Sequence, residues 1–117
     1  MIKSESELQK ACVKWFDDNI SPTQAFLFSV PNGGSRHKLE AINLKKEGLK
    51  AGVADLILLL AGGTIIFIEL KHGKNAQSAK QKEFEGTAKG LGFNYYLIRT
   101  FKDFKVVVGY FVTLYIK

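Results

Sequence analysis

Two runs of residues, Leu56–Leu60 and 65–68, are apolar at every position and flank Ala61-Gly62-Gly63. A strand with one wet face alternates apolar and polar residues. An unbroken apolar run closed by a turn marks strands covered on both faces. The uncharged stretch from Leu56 to Ile68 is thirteen residues long and is interrupted by two glycines, too short to cross a bilayer. It therefore reads as a hairpin, with strands over 54–60 and 64–70, at the centre of a layered α/β domain. A chain of 117 residues builds one such core, so 1–117 is read as a single domain.

The flanking segments supply the layers. Leu8, Ala11, Cys12, Trp15 and Phe16 form one apolar stripe at helical spacing, which predicts a helix over 4–19. Ser4-x-x-Glu7 has the form of a capping box, with Ser4 as N-cap and Glu7 reaching back. A strand is expected over 25–30, then a loop at Pro31-Asn32-Gly33-Gly34, then a short basic helix over 37–49 that Gly48 closes. After the hairpin come a polar loop over 71–77, a helix over 78–91 with Ser78 as N-cap, and a strand over 93–98. A helix over 100–109 and a last strand or extended tail over 112–116 finish the chain. The order α-β-α-β-β-α-β-α points to a mixed sheet with helices packed on it. The uncharged tail from Val106 to Ile116 needs cover, either from the core or from a partner subunit.

The open end of the hairpin carries charge. If 61–63 form the turn, residue 60 pairs with 64 and residue 55 with 69, so Asp55 and Glu69 share a face with Cβ atoms about 5 Å apart. Lys71 lies two residues beyond Glu69 and shares that face. Two carboxylates this close repel each other unless a cation lies between them, and hard oxygen ligands suit Mg²⁺ or Mn²⁺. A lysine beside such a metal can orient or deprotonate a water for attack on phosphorus. Taken alone, Asp-(13 residues)-Glu-x-Lys is short and common, and strand-end carboxylates with a plain lysine ion pair explain it better. The strongly buried strands and the preceding Gly52-Val53-Ala54 move the balance toward a site. Glu5 falls within the apolar arc of the first helix. There it either meets a metal or lysine partner or stays solvated in a frayed first turn.

Charge and cysteine usage narrow the function classes. Seventeen Lys and Arg against eleven Asp and Glu give +6 at pH 7, a balance that suits a polyanionic partner, nucleic acid before membrane surface. No strongly basic amphipathic helix supports the membrane alternative. One cysteine, Cys12, excludes a disulfide framework and a cysteine zinc site, and reads as a small core residue. The charged start does not resemble a secretory signal, so a cytoplasmic location is expected. Lys38, Lys45, Lys46 and Lys50 gather around the second helix, and Lys74, Lys80 and Lys82 follow the hairpin. Each is either a phosphate contact or solvated surface. Arg36 and His37 beside the Gly-Gly loop are better candidates, whereas His72 would face away from Lys71 and reads as structural. No base-reading motif is visible, so shape rather than sequence would be recognised.

These residues and their flanks resemble a stand-alone VRR-NUC domain, the virus-type replication-repair nuclease branch of the PD-(D/E)xK superfamily. The likeness runs from Glu5 to about Ile98. It comprises Glu5 with Gln9, the loop Pro31-Asn32-Gly33-Gly34-Ser35-Arg36, and the run Glu40-Ala41-Ile42-Asn43-Leu44-Lys45 followed by Gly48 and Gly52. Asp55, Glu69-Leu70-Lys71 and Gln81 complete it. Ala54 stands where the family usually has proline, which supplies no ligand.

The resemblance implies a restriction-endonuclease-like fold, a central mixed sheet flanked by helices, and Mg²⁺- or Mn²⁺-dependent hydrolysis of DNA phosphodiesters. Asp55 and Glu69 would hold the metal with the Leu70 carbonyl, and Glu5 would complete the acidic cluster directly or through water. Lys71 would position the attacking water and stabilise the pentavalent phosphorane, and Gln81 would orient Lys71 or its water. Asn32, Gly33, Gly34, Arg36, Lys38, Lys45 and Lys74 would contact DNA. Such domains resemble viral and bacterial replication and repair nucleases that cut branched DNA, including four-way (Holliday) junctions, as homodimers in the bacterial or phage-infected cell. No membrane and no nucleotide cofactor is implied. A non-catalytic DNA-binding module on the same fold is the alternative.

Overall fold

The computed structural model describes residues 1–31 and 38–115, with side chains for all of these except 38 and 39. Helix α1 (Glu5–Asn19) is followed by β1 (Ala25–Ser29), α2 (Lys38–Lys46), β2 (Leu56–Leu60), β3 (Thr64–Leu70), α3 (Ala79–Gly90), β4 (Asn94–Ile98) and α4 (Phe101–Tyr115). The strands lie in the order β1-β2-β3-β4. Strands β1, β2 and β3 pair antiparallel in succession, and β4 runs parallel to β3, reached through the crossover helix α3. This is the mixed α/β sheet flanked by helices that the element order implied. Among the described residues no helix is long and apolar enough to cross a membrane.

Sheet pleating divides the residues between two cores. Leu27, Leu56, Leu58, Ile66, Ile68 and Leu70 point to one face. There they meet Leu8, Cys12 and Phe16 of α1 and Phe104, Val108 and Phe111 of α4. Trp15 and Phe104 pack edge to face at 6.1 Å, joining the two helices. On the other face α3 covers only the β3–β4 side. Phe67 meets Phe84 at 5.2 Å, and Phe84 lies 6.1 Å from Tyr95.

The expectation that both faces of the hairpin are covered is therefore corrected. Leu59 is 37% exposed, and Phe26 and Phe28, its neighbours on β1, are 54% and 38% exposed. Strand β1 is one edge of the sheet, and α3 stands over the other, against β4.

The tail is also corrected. Residues 112–115 continue α4 rather than forming a strand. Three successive valines, 106–108, and Gly109 weaken local helix preference. However, Phe104, Val108, Phe111 and Val112 fall on one helical stripe and are all buried, and that burial decides the conformation. The core covers this stripe, while Val106, Tyr110 and Leu114 on the outer face remain exposed.

The helix ends follow local chemistry. Ser4 Oγ accepts from the Glu7 N–H at 3.1 Å, as expected of an N-cap. Glu7 reaches one residue further back than a capping box requires, its carboxylate accepting from the Lys3 N–H at 2.7 Å. Helix α2 closes at Gly48, whose φ is +110°. The Gly48 N–H donates to the Lys45 carbonyl at 3.1 Å and the Leu49 N–H to the Leu44 carbonyl at 2.9 Å, the paired bonds of a Schellman motif.

Candidate active site

The hairpin register pairs Leu60 with Thr64 and Leu56 with Ile68, so the next step brings Asp55 opposite Glu69. Two hydrogen bonds hold Asp55 in place. Its carbonyl accepts from the Val30 N–H at 2.9 Å, extending the β1 pairing by one residue. Its carboxylate oxygen Oδ2 accepts from the Leu70 N–H at 2.7 Å. The Asp55 side chain thus lies against the Glu69-Leu70-Lys71 segment, as the sequence predicted. Burial pushes its carboxyl above the usual carboxylate range. The Leu70 N–H opposes this, the charges of Glu69 and Glu5 add to it, and Lys71 opposes it more weakly. All three predicted partners therefore act on Asp55 electrostatically.

Glu69 is 0% exposed. The Tyr95 hydroxyl donates a short hydrogen bond to its Oε1. Gln77 Nε2 approaches the same oxygen at 3.5 Å, the Tyr95 hydroxyl at 3.4 Å and Glu85 Oε1 at 2.9 Å. The other oxygen, Glu69 Oε2, is buried without a hydrogen-bond partner. Lys71 is 8% exposed. Its backbone N–H donates to the Ile98 carbonyl at 3.0 Å, while its ammonium has no ion pair among the described residues. A buried carboxylate with one unpaired oxygen is costly unless something charged meets it.

Glu5 sits in the first turn of α1, half-buried, and its Oε2 accepts from Asn75 Nδ2 at 3.3 Å. Arg99 steadies the loop that carries Asn75, donating to the carbonyls of Gly73 at 2.9 Å and Asn75 at 2.8 Å. Gln81 occupies the third position of α3 and closes a capping box. Its Oε1 accepts from the Ser78 N–H at 2.8 Å, and its own N–H donates to Ser78 Oγ at 3.1 Å. Among the described residues Gln81 makes no hydrogen bond to Lys71. His72 is half-buried beside Leu8, Arg99 and Phe101, on the side of the strand away from Lys71.

Among the predicted DNA contacts, Asn32, Gly33, Gly34 and Arg36 lie outside the described residues, as does the Lys38 side chain. Lys74 is exposed in the loop after β3. Lys45 lines a groove of 560 Å³ between α2 and α3, together with Lys50 and Lys80, over a floor that includes Leu49, Val53 and Phe84. Tyr95, Gln77, Asn75 and Arg99 were not singled out from the sequence. The one available signal was that Tyr95 sits in a predicted strand. Its place on the face of Glu69 depends on the parallel β3–β4 register, which pairs Phe67 with Tyr95.

Among the described residues no three His, Cys, Asp or Glu side chains converge as a ready-made metal cage. The donors at the rim are the carboxylates of Asp55 and Glu69. The unpartnered Glu69 Oε2 and the raised carboxyl of Asp55 are what a site for a hard divalent cation would present.

Comparison with models of known families finds none that matches this sequence, and comparison with curated proteins finds no relative. Solved structures do match. A VRR_NUC domain protein superimposes with a TM-score of 0.76 at 20% identity, over 96% of this chain and 90% of the other. A second structure, described as a VRR_NUC domain, gives 0.65 at 18% identity, over 94% and 99%. At these identities the likeness is one of architecture, and the chain has the α/β fold of the VRR_NUC domain structures.

Proposed function

We propose that this chain is a metal-dependent DNA nuclease that hydrolyses phosphodiester bonds, structure-selective for branched DNA such as four-way junctions, and acting as a homodimer. One observation carries the reading. Asp55, Glu69 and Lys71 meet at the rim of a buried sheet, with Glu69 Oε2 buried and unpaired.

In this reading Asp55 and Glu69, with the Leu70 carbonyl, hold Mg²⁺ or Mn²⁺. The bound cation supplies Lewis acidity and charge screening at the scissile phosphate. Lys71 orients the attacking water and stabilises the pentavalent phosphorane. Glu5, steadied by Asn75, completes the acidic cluster through water. The oxygen of Gln81 already accepts from the Ser78 N–H and keeps a second lone pair, and its Nε2 is free to donate, so Gln81 orients Lys71 or its water. Exposed Lys45 and Lys74, with Asn32, Gly33, Gly34, Arg36 and Lys38, contact the DNA backbone. The net charge of +6 supports this.

A cleavage assay tests the reading. Labelled four-way junction, 5′ flap, single strand and linear duplex are incubated with Mg²⁺, Mn²⁺ or EDTA. Metal-dependent cutting is expected, fastest on the junction. Asp55→Ala and Lys71→Ala should each lower the rate by roughly 10²-fold or more. Junction binding in a gel without cutting in either metal overturns the catalytic reading and leaves a DNA-binding module.

A further inference from the structure

The polar network around Glu69 is asymmetric. Two donors converge on Oε1, the Tyr95 hydroxyl and Gln77 Nε2, and none reaches Oε2. Both donors have support of their own. Tyr95 is fixed by the β3–β4 register, which pairs it with Phe67, two residues before the pair Glu69–Leu97. It therefore stands diagonally beside Glu69 on the same face of the sheet. Gln77 is held by Glu85 on α3, which is itself ion-paired to Lys89. A wholly buried carboxylate would ordinarily gather donors on both oxygens.

We infer that Tyr95 and Gln77 are positioning residues that fix the Glu69 carboxylate for a divalent cation, binding one oxygen so that the other is presented as a ligand. The inference rests on the proposed role of Glu69 as a cation ligand and adds what orients it. Groups that hold a ligating side chain from behind ordinarily carry roughly 10–100-fold in metal affinity. Neither residue touches the reacting atoms, so their loss should move affinity for the cation rather than the chemistry at saturation.

Mn²⁺ is the probe, because its aqueous spin-resonance signal disappears on binding and reads affinity without DNA or turnover. The full chain is titrated as wild type, Tyr95→Phe, Gln77→Ala and Tyr96→Phe, with Asp55→Asn and Glu69→Gln as ligand-removing variants. Tyr96 is the matched comparison. It lies on the same strand but packs with Phe111 on the opposite face.

Tyr95→Phe should raise the Mn²⁺ dissociation constant about tenfold or more, Gln77→Ala several-fold, and Tyr96→Phe not at all. In cleavage, the Mn²⁺ concentration giving half-maximal rate should rise by the same factors, with the saturated rate recovering to near that of wild type. Folded Tyr95→Phe and Gln77→Ala proteins that bind Mn²⁺ like wild type overturn the inference. Should Tyr95→Phe fail to fold, Gln77→Ala decides alone. Wild-type binding that Asp55→Asn and Glu69→Gln leave unchanged instead overturns the ligand assignment itself, and the inference with it.

Discussion

At Asp55 the protein keeps a carboxylate where its charge is unwelcome. Burial is the largest cause, and the charges of Glu69 and Glu5 add to it against the opposing Leu70 N–H and Lys71. The folded chain therefore binds the Asp55 proton more tightly than the unfolded chain does. As pH rises from the ordinary aspartate value through the raised one, ionisation of Asp55 works against the folded state, and above that window the whole penalty is present. Asp55→Asn keeps an oxygen to accept from the Leu70 N–H and removes the charge. At about pH 7–8 the variant should melt a few degrees above wild type. The difference should fade as pH falls through the raised value and vanish below the ordinary aspartate value of 3.8, where wild-type Asp55 is protonated in both states. Mg²⁺ should raise the melting temperature of wild type and leave that of Asp55→Asn unmoved. Thermal unfolding across pH, with and without Mg²⁺, checks all three, and a variant less stable than wild type at pH 7–8 counts against the electrostatic account.

The element that most depends on its neighbour is the start of α3. Gly52 has a φ of +81°, and a Cβ there would stand 2.4 Å from the Lys80 carbonyl carbon and oxygen and 2.7 Å from the Gln81 nitrogen. Those atoms are backbone in a capped first turn and have no room to yield. Gly52→Ala should therefore cost roughly 2–4 kcal/mol, combining backbone strain with overpacking. Gly48→Ala also places alanine at positive φ but meets open space, and should cost about 1 kcal/mol. Chemical denaturation of the two variants measures the difference, and equal losses would mean that α3 shifts freely. The same junction shows what the sequence could disclose. Asp55, Glu69 and Lys71 were legible because a three-residue turn fixes their register locally. Ser78-Ala79-Lys80-Gln81 was legible as a helix start for the same reason. Tyr95 and Gln77 were not, because they reach Glu69 only through a parallel pairing closed by a crossover helix. The end of α4 was misread as extended for a related reason. Val112, Thr113 and Tyr115 favour a strand locally, and only packing of Phe104, Val108, Phe111 and Val112 into the core reverses that preference.

Over the whole molecule the excess positive charge matters through where it gathers. Exposed charges more than about 8–10 Å apart are largely screened at physiological salt. A net +6 spread evenly would thus give only weak attraction for a polyanion. Lys45, Lys50 and Lys80 instead share one groove between α2 and α3, offset there by Glu83, which pairs with Lys80 at 3.6 Å, and α3 also carries the capped turn that meets Gly52. A strand lying in that groove would have its phosphates neutralised there and release the counterions they held. Each such contact adds close to one unit to the slope of log affinity against log salt. Measured in EDTA, so that nothing is cut, the triple variant Lys45→Ala/Lys50→Ala/Lys80→Ala should bind junction and duplex more weakly and lower the slope by roughly three for whichever DNA occupies the groove. If only the junction slope falls, the groove reads the branched structure. If both fall together, the groove holds any duplex and selectivity arises elsewhere. An unchanged slope on both would remove the groove from the DNA path and leave Lys74, Asn32, Gly33 and Gly34 as the proposed backbone contacts.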